Sequence, residues 1–347
     1  MDARSPESFL DDPHWFARGF DPQSGTVGFT HASREELAGE PFLDMRWKRA
    51  GGRSGRMHLS SVVAALASKP APRNLRFIWH TGFCCSTLLA RALDMPGRNL
   101  SLCEPKLLVD VADAKRAGAF ALHPDLATLP SVAFKLLSRG FGDSEAVTVK
   151  PAPAANHLLP EAAALPGARH LLLYSRCEDF VIAIARLGAD GDTYTRAMVD
   201  VMRRDGIAPN WTHERTANLS PLRRAALVWH MQIAEFQKAA PSDARALDCD
   251  MLLADPAAVL GAADAFLGLG LGAGHAAQTV DGALFRRNAK KAGEAFDPGR
   301  RRSEYEEVRK RLGAELTEAV AWGYETFGIP RGTPLPGFAA LIEKAES

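Results

Sequence analysis

The residues Arg76 to His80 form a short apolar run that opens directly into Thr81-Gly82-Phe83-Cys84-Cys85-Ser86-Thr87. Leu88, Leu89, Ala92 and Leu93 then recur at helical spacing, and Asp94-Met95-Pro96-Gly97 stops the pattern. The spacing predicts a buried strand, a tight loop and a helix that begins at Ser86. N–H groups in a first helical turn lack intrahelical partners and sit at the positive end of the helix dipole, so such a junction is an anion site. Ser86 and Thr87 add two hydroxyls there, and a phosphate fits that chemistry; the bland alternative is a serine N-cap in an α/β core. A nucleoside triphosphatase loop would end in Gly-Lys-Ser/Thr, the lysine neutralising the outer phosphates and the hydroxyl holding magnesium. Cys85 stands where that lysine would be, which argues against ordinary ATP or GTP chemistry.

Other chemically capable residues are scattered. Ser101-Leu102-Cys103-Glu104-Pro105-Lys106 places a carboxylate before a rigidifying proline, and Glu104 is the candidate base or else a cap or ion-pair partner. His80 precedes the loop and is either a donor to a phosphate oxygen or leaving group, or a satisfied core histidine. Arg176 follows four apolar residues, a position suited to bidentate phosphate contact; its alternative is an ion pair with Glu178 or Asp179. Lys106, Lys135 and Lys150 are further sources of positive charge. Cys84 and Cys85 at a helix start invite thiol chemistry, but small buried or loop residues are the simpler reading. Trp229-His230 and Trp322 fall in amphipathic patterns and read as core.

The elements that must position these groups follow from short apolar runs bounded by Gly, Pro or charge. Strands are expected at Arg76–His80, Ser131–Leu137, Ala146–Lys150, His170–Ser175 and Arg245–Cys249. Helices are expected at Ser86–Leu93, Ala154–Ala164, Asp179–Leu187, Leu222–Ala239 and Pro256–Leu267. Strands separated by such helices pair in parallel through right-handed crossovers. The fold class is therefore α/β, a three-layer αβα arrangement around a mainly parallel sheet, with ligands at the carboxyl ends of the strands. Residues 1–70 read as an extension packed on a main domain at 71–330, and 331–347 as a Pro-rich terminal arm. Ser33-Arg34-Glu35-Glu36 is a capping box, and Gly51 to Arg56 reads as an exposed loop.

The chain has 347 residues, a net charge of +1 and 46% hydrophobic residues, so a large core is available but no global field favours nucleic acid or an anionic membrane. Five cysteines show no Cys-x-x-Cys pair or Cys/His ligand spacing, which fits a reducing compartment and predicts no metal. The amino terminus lacks a signal-peptide pattern and no run of eighteen apolar residues occurs, so a soluble cytoplasmic protein is expected.

Over roughly residues 74–270 these segments, taken in order, resemble the sulfotransferases that use 3′-phosphoadenosine 5′-phosphosulfate, in a divergent bacterial form of a phosphate-loop-like fold. The resemblance matches Thr81–Leu89 to the loop and Ser/Thr-Leu-Leu helix that cradle the 5′-phosphosulfate. It matches Glu104-Pro105 to a Glu-Pro pair, Arg176 to the 3′-phosphate arginine, and Leu247–Leu269 to a strand, a Leu-x-x-Asp-Pro stretch and a Phe-Leu-Gly helix. It implies transfer of a sulfuryl group to a hydroxyl or amine acceptor. The implied catalytic residues are Glu104 and His80; the implied nucleotide-binding set is Thr81, Gly82, Phe83, Cys84, Cys85, Ser86, Thr87, Lys106, Arg176 and Ile184. Three departures stand out. The loop lacks the family's Lys or Arg, Ile184 replaces the serine eight residues after Arg176, and Arg286-Arg287-Asn288-Ala289-Lys290-Lys291 lacks the Arg-Lys-Gly order of the family's covering loop. A phosphate-loop kinase or hydrolase and a non-catalytic nucleotide-binding module remain as alternatives. A small-molecule or carbohydrate acceptor is expected, with lipid and peptide left open; no nucleic-acid or membrane partner is expected, and residues 1–70 and 188–221 are expected to shape the acceptor pocket.

Overall fold

The computed structural model describes residues 6–48, 52–122, 124–142, 144–286, 298–332, 335 and 337–343. Three strands, β1 (Trp15–Asp21), β2 (Thr26–His31) and β3 (Ser54–His58), form an antiparallel sheet in that order. Six more, β4 (Leu75–His80), β5 (Asn99–Cys103), β6 (Ala146–Lys150), β7 (Arg169–Tyr174), β8 (Arg245–Asp248) and β9 (Ala339–Ala340), form a second sheet, ordered β5-β6-β4-β7-β8-β9 and parallel throughout. The short β9 lies in the expected carboxyl-terminal arm and pairs with β8.

Each central strand is apolar on both faces because both are covered. Phe77, Trp79, Val147, Val149 and Leu172 point into a core packed by the helices Lys106–Arg116, Leu129–Leu137, Cys177–Arg186 and Pro221–Ala239. Ile78, Leu171, Leu173 and Leu247 point the other way, against the helices Ser86–Ala92, Cys249–Ala254 and Pro256–Leu267. This is the three-layer α/β arrangement. The first core also takes in Trp15, Phe16, Phe20 and Phe29 of the antiparallel sheet.

Three sequence expectations about elements need correction. Ser131–Leu137 lies in the helix Leu129–Leu137, with Pro130 in its first turn and apolar residues nearly all round; a short, wholly apolar run does not distinguish strand from helix by period. The stretch Ser54–Arg56 belongs to β3, its glycine and polar residues stitched to β2 by the ladder, while Gly51 lies outside the described residues. Cys249 starts a helix capped by Asp248. The Ser33 capping box is present, and Arg34 behind it is buried on Asp94, Glu145 and the Asn99 carbonyl.

From β4 the chain passes to β5 and β6 on one side, then crosses to β7 and β8 on the other. The crevice at the carboxyl end of β4 is thus the switch point where open α/β sheets bind ligands. Thr81–Cys85 occupies it.

Candidate functional site

The loop after β4 is wound in left-handed backbone: Gly82 (φ 78°), Phe83 (φ 54°) and Cys85 (φ 59°) all have positive φ. For Phe83 and Cys85 that conformation is unfavourable, and such strain persists where surroundings fix it. Phe83 packs edge-on against Phe180 and Tyr194, which clamps the loop from one side. Expected amide donors at the start of the loop are engaged: the Thr81 N–H donates to the Leu173 carbonyl at 3.2 Å, and the Gly82 N–H to His80 Nδ1 at 3.0 Å. Any amides left for a ligand lie further along the loop. Cys85 is the N-cap and gives no side-chain cap, so Ser86 and Thr87 open the helix with first-turn amides. Thr87 is 1% exposed, and its Oγ1 has no hydrogen-bond partner.

Beside this turn sits a buried charged cluster. Lys150 ends β6 with its side chain fully buried, its Nζ 2.6 Å from Glu104 Oε1 and 3.5 Å from His80 Nε2. Glu104 follows β5 in a left-handed conformation (φ 51°), and its N–H donates to the Lys150 carbonyl at 2.7 Å. The other Glu104 oxygen accepts from Arg46 at 2.7 Å. Arg46 lies over the Phe42 ring and also pairs with Asp44. Since His80 Nδ1 accepts from Gly82, the neutral ring carries its proton on Nε2, an assignment from the hydrogen-bond network. His80 Nε2 then points its N–H toward Glu104 Oε1, 3.9 Å away.

The remaining predicted residues are placed elsewhere. Lys106 turns to Asp110 on its own helix at 2.5 Å. Lys135 is helical and caps the Leu66 and Lys69 carbonyls. Arg176 is exposed and paired, but with Asp250 at 2.9 Å and Asp248 at 3.9 Å; Glu178 and Asp179 go instead to Arg309. Ile184 is buried and lines a cleft of about 780 Å³ with Gly188, Asp192, Leu222, Glu315 and Glu318. Arg286 is described, whereas residues 287–291 of the basic run lie outside the described residues.

Arg46, Tyr194 and Arg301 are site residues that sequence reasoning missed. Arg301 comes from the helix Pro298–Phe327, donates to the Tyr305 hydroxyl at 3.3 Å and lies over that ring. Burial opposes its charge, but electrostatic contact with Cys85, Tyr305 and Cys249 raises its pKa further. Its charge acts on Cys85, the residue that stands where a phosphate loop would carry a lysine. No local pattern announces any of the three, because each is brought in from a distant part of the chain. Burial pushes the Cys103 thiol up to about 11 and raises Cys177 and Cys249 as well, which disfavours the thiolate form of all three. Trp229 and His230 are buried core, as expected.

No protein-family model matches the chain, and no curated protein does. Among solved structures, the sulfotransferase domain from the curacin biosynthetic pathway aligns over 70% of this chain and 98% of its own, with 14% identity and a TM-score of 0.43. That likeness is one of backbone path. Among the described residues no helix is long and apolar enough to cross a membrane.

Proposed function

We propose that the protein is a sulfotransferase-like enzyme that moves a sulfuryl group from 3′-phosphoadenosine 5′-phosphosulfate to a hydroxyl or amine of a small-molecule or carbohydrate acceptor. The observation that carries the reading is the buried, unpartnered Thr87 hydroxyl in the first turn of a helix at the switch point, backed by Lys150 and His80. That turn supplies donors to a phosphosulfate without a metal. Lys150, His80 and Arg301 provide the charge stabilisation that a loop lysine or arginine would otherwise give.

In the transfer, a bond forms between sulfur and the acceptor oxygen or nitrogen while the bond from sulfur to the bridging phosphate oxygen breaks. Positioning and electrostatic stabilisation of the leaving nucleotide carry most of the rate. Glu104 takes the acceptor proton, and Lys150 and Arg46 fix its two oxygens. The cleft beside Ile184 is a candidate for the acceptor: Phe180 and Tyr194, which hold Phe83, lie about one helical turn from its lining residues. Arg176, salt-bridged to Asp248 and Asp250, is free to exchange those carboxylates for the nucleotide's 3′-phosphate.

The kinase alternative has less support. The strands flanking β4 end in Lys150 and Tyr174, and Asp248 ends β8, one strand further out and beside Arg176. The test is transfer of labelled sulfuryl from the phosphosulfate donor to a panel of phenols, sugars and amines. Turnover that disappears in Glu104→Gln while nucleotide binding persists supports the assignment. Turnover unaffected by that change removes Glu104 from the chemistry, and labelled phosphate transfer from magnesium-ATP replaces the reading.

A further inference from the structure

Three side chains from separate elements converge beneath the loop: His157 in the 3-10 turn Pro153–Leu158, Asp205 at the end of the helix Ala189–Arg204, and Glu235 in the helix Pro221–Ala239. One ligand atom from each lies within 4.8 Å of the other two, and His157 Nε2 is 3.8 Å from Asp205 Oδ1. Glu235 is the informative member. It is 3% exposed, and its Oε1 has no hydrogen-bond partner. A carboxylate removed from water without a partner is costly, and buried carboxylates are normally paired or bound to metal.

We propose that His157, Asp205 and Glu235 form a binding site for one divalent transition ion of the zinc class. An imidazole with two carboxylates is a donor set for Zn²⁺, whose ligands at about 2.1 Å stand roughly 3.4 Å from one another in a tetrahedron. Closing the observed spacing to that value takes side-chain shifts of about 1 Å. The supporting shell is already built. Arg116 grips Asp205 through two hydrogen bonds of 2.6 and 2.8 Å, which orients the carboxylate and leaves each oxygen a further lone pair. Lys115 donates to the His157 carbonyl at 2.8 Å and pairs with Glu161 at 2.6 Å, so its charge is already committed. Arg116 therefore balances one of the two ligand carboxylates and an ion balances the other. His157 keeps 21% of its side chain exposed, which gives an access route and room for a water as fourth ligand.

The site would brace the phosphate loop from behind. The neighbouring Asn156 donates to the His80 carbonyl at 3.3 Å, and Pro153 stands against Gly82. The three ligands lie far apart in sequence, so no ligand-spacing motif marks them.

The test uses the untagged full-length protein, stripped by chelator and dialysed, then titrated calorimetrically with ZnCl₂ and separately with MnCl₂, with thermal unfolding recorded alongside. The expected result is one ion bound per chain and a Tm rise of about 5 °C at a free-metal concentration near 100 Kd. Glu235→Gln and His157→Gln should each abolish both effects while still unfolding cooperatively without metal. If Glu235→Gln fails to fold, His157→Gln at the partly exposed ligand decides alone. Absence of stoichiometric binding by the unaltered protein, or binding that persists in the variants, overturns the proposal.

Discussion

Lys150 Nζ and Glu104 Oε1 lie 2.6 Å apart where β6 and β5 end side by side, with the lysine side chain wholly buried. Desolvating that ammonium is tolerable only because the carboxylate meets it. Glu104→Gln therefore strands the Lys150 charge and should lower unfolding free energy by about 3 kcal/mol, whereas Lys150→Met leaves Glu104 its Arg46 partner and should cost less. Removing both together should recover most of that loss. Urea denaturation of the two single variants and the double variant gives the coupling energy, and additive losses would show that the pair is not a unit.

Thr87→Val separates binding from folding. Its hydroxyl is buried without a protein partner, so an isosteric methyl should leave stability unchanged or raise it by about 1 kcal/mol. Loss of a donor to the bound phosphate should weaken nucleotide affinity about tenfold, or about 1.4 kcal/mol. Calorimetric Kd and urea midpoints measured on the same preparation check both halves.

The regular part of this fold was legible because it follows from periodicity. β4, its loop and the Ser86 helix were expected where they occur, and Ala146–Lys150 and His170–Ser175 read as strands because covering on both faces makes them continuous apolar runs. Leu129–Leu137 escaped because a short helix buried almost all round carries no amphipathic signal. At the site, Glu104 and His80 were visible from their places at strand ends. Arg46 and Arg301 were not, since Arg46 meets Glu104 and Arg301 acts on Cys85 from opposite ends of the chain. Lys106 and Lys150 shared one expectation, yet Lys106 is held by Asp110 four residues on, while Lys150 enters the cluster.

Acid should unfold the protein through two buried histidines. Burial lowers His170 to about 4, with Trp79 Nε1 donating to its Nδ1, and lowers His230 to about 3. Because both pKa values are depressed in the folded state, their stability contribution is complete above pH 6.5. It is lost as pH falls toward 4 for His170 and toward 3 for His230. The His170 contribution is about 3 kcal/mol. His230→Phe should flatten a stability curve against pH between about 6.5 and 3, and an unchanged slope would remove His230 from that account.

Arg34 joins the amino-terminal segment to the main sheet through Glu145, whose side chain is fully buried, and Asp94. Arg34→Met should cost about 3–5 kcal/mol by leaving those carboxylates uncompensated. The measurement is thermal unfolding against Glu36→Gln, a change on the exposed side of the same helix that should move Tm far less.

Calorimetric titration with 3′-phosphoadenosine 5′-phosphate in metal-free buffer, run against ATP with magnesium, tests the account most directly. The expected result is stoichiometric binding of the bisphosphate without magnesium, weakened about tenfold in Thr87→Val, and much weaker binding of magnesium-ATP. Absence of bisphosphate binding, or preference for magnesium-ATP, would contradict it.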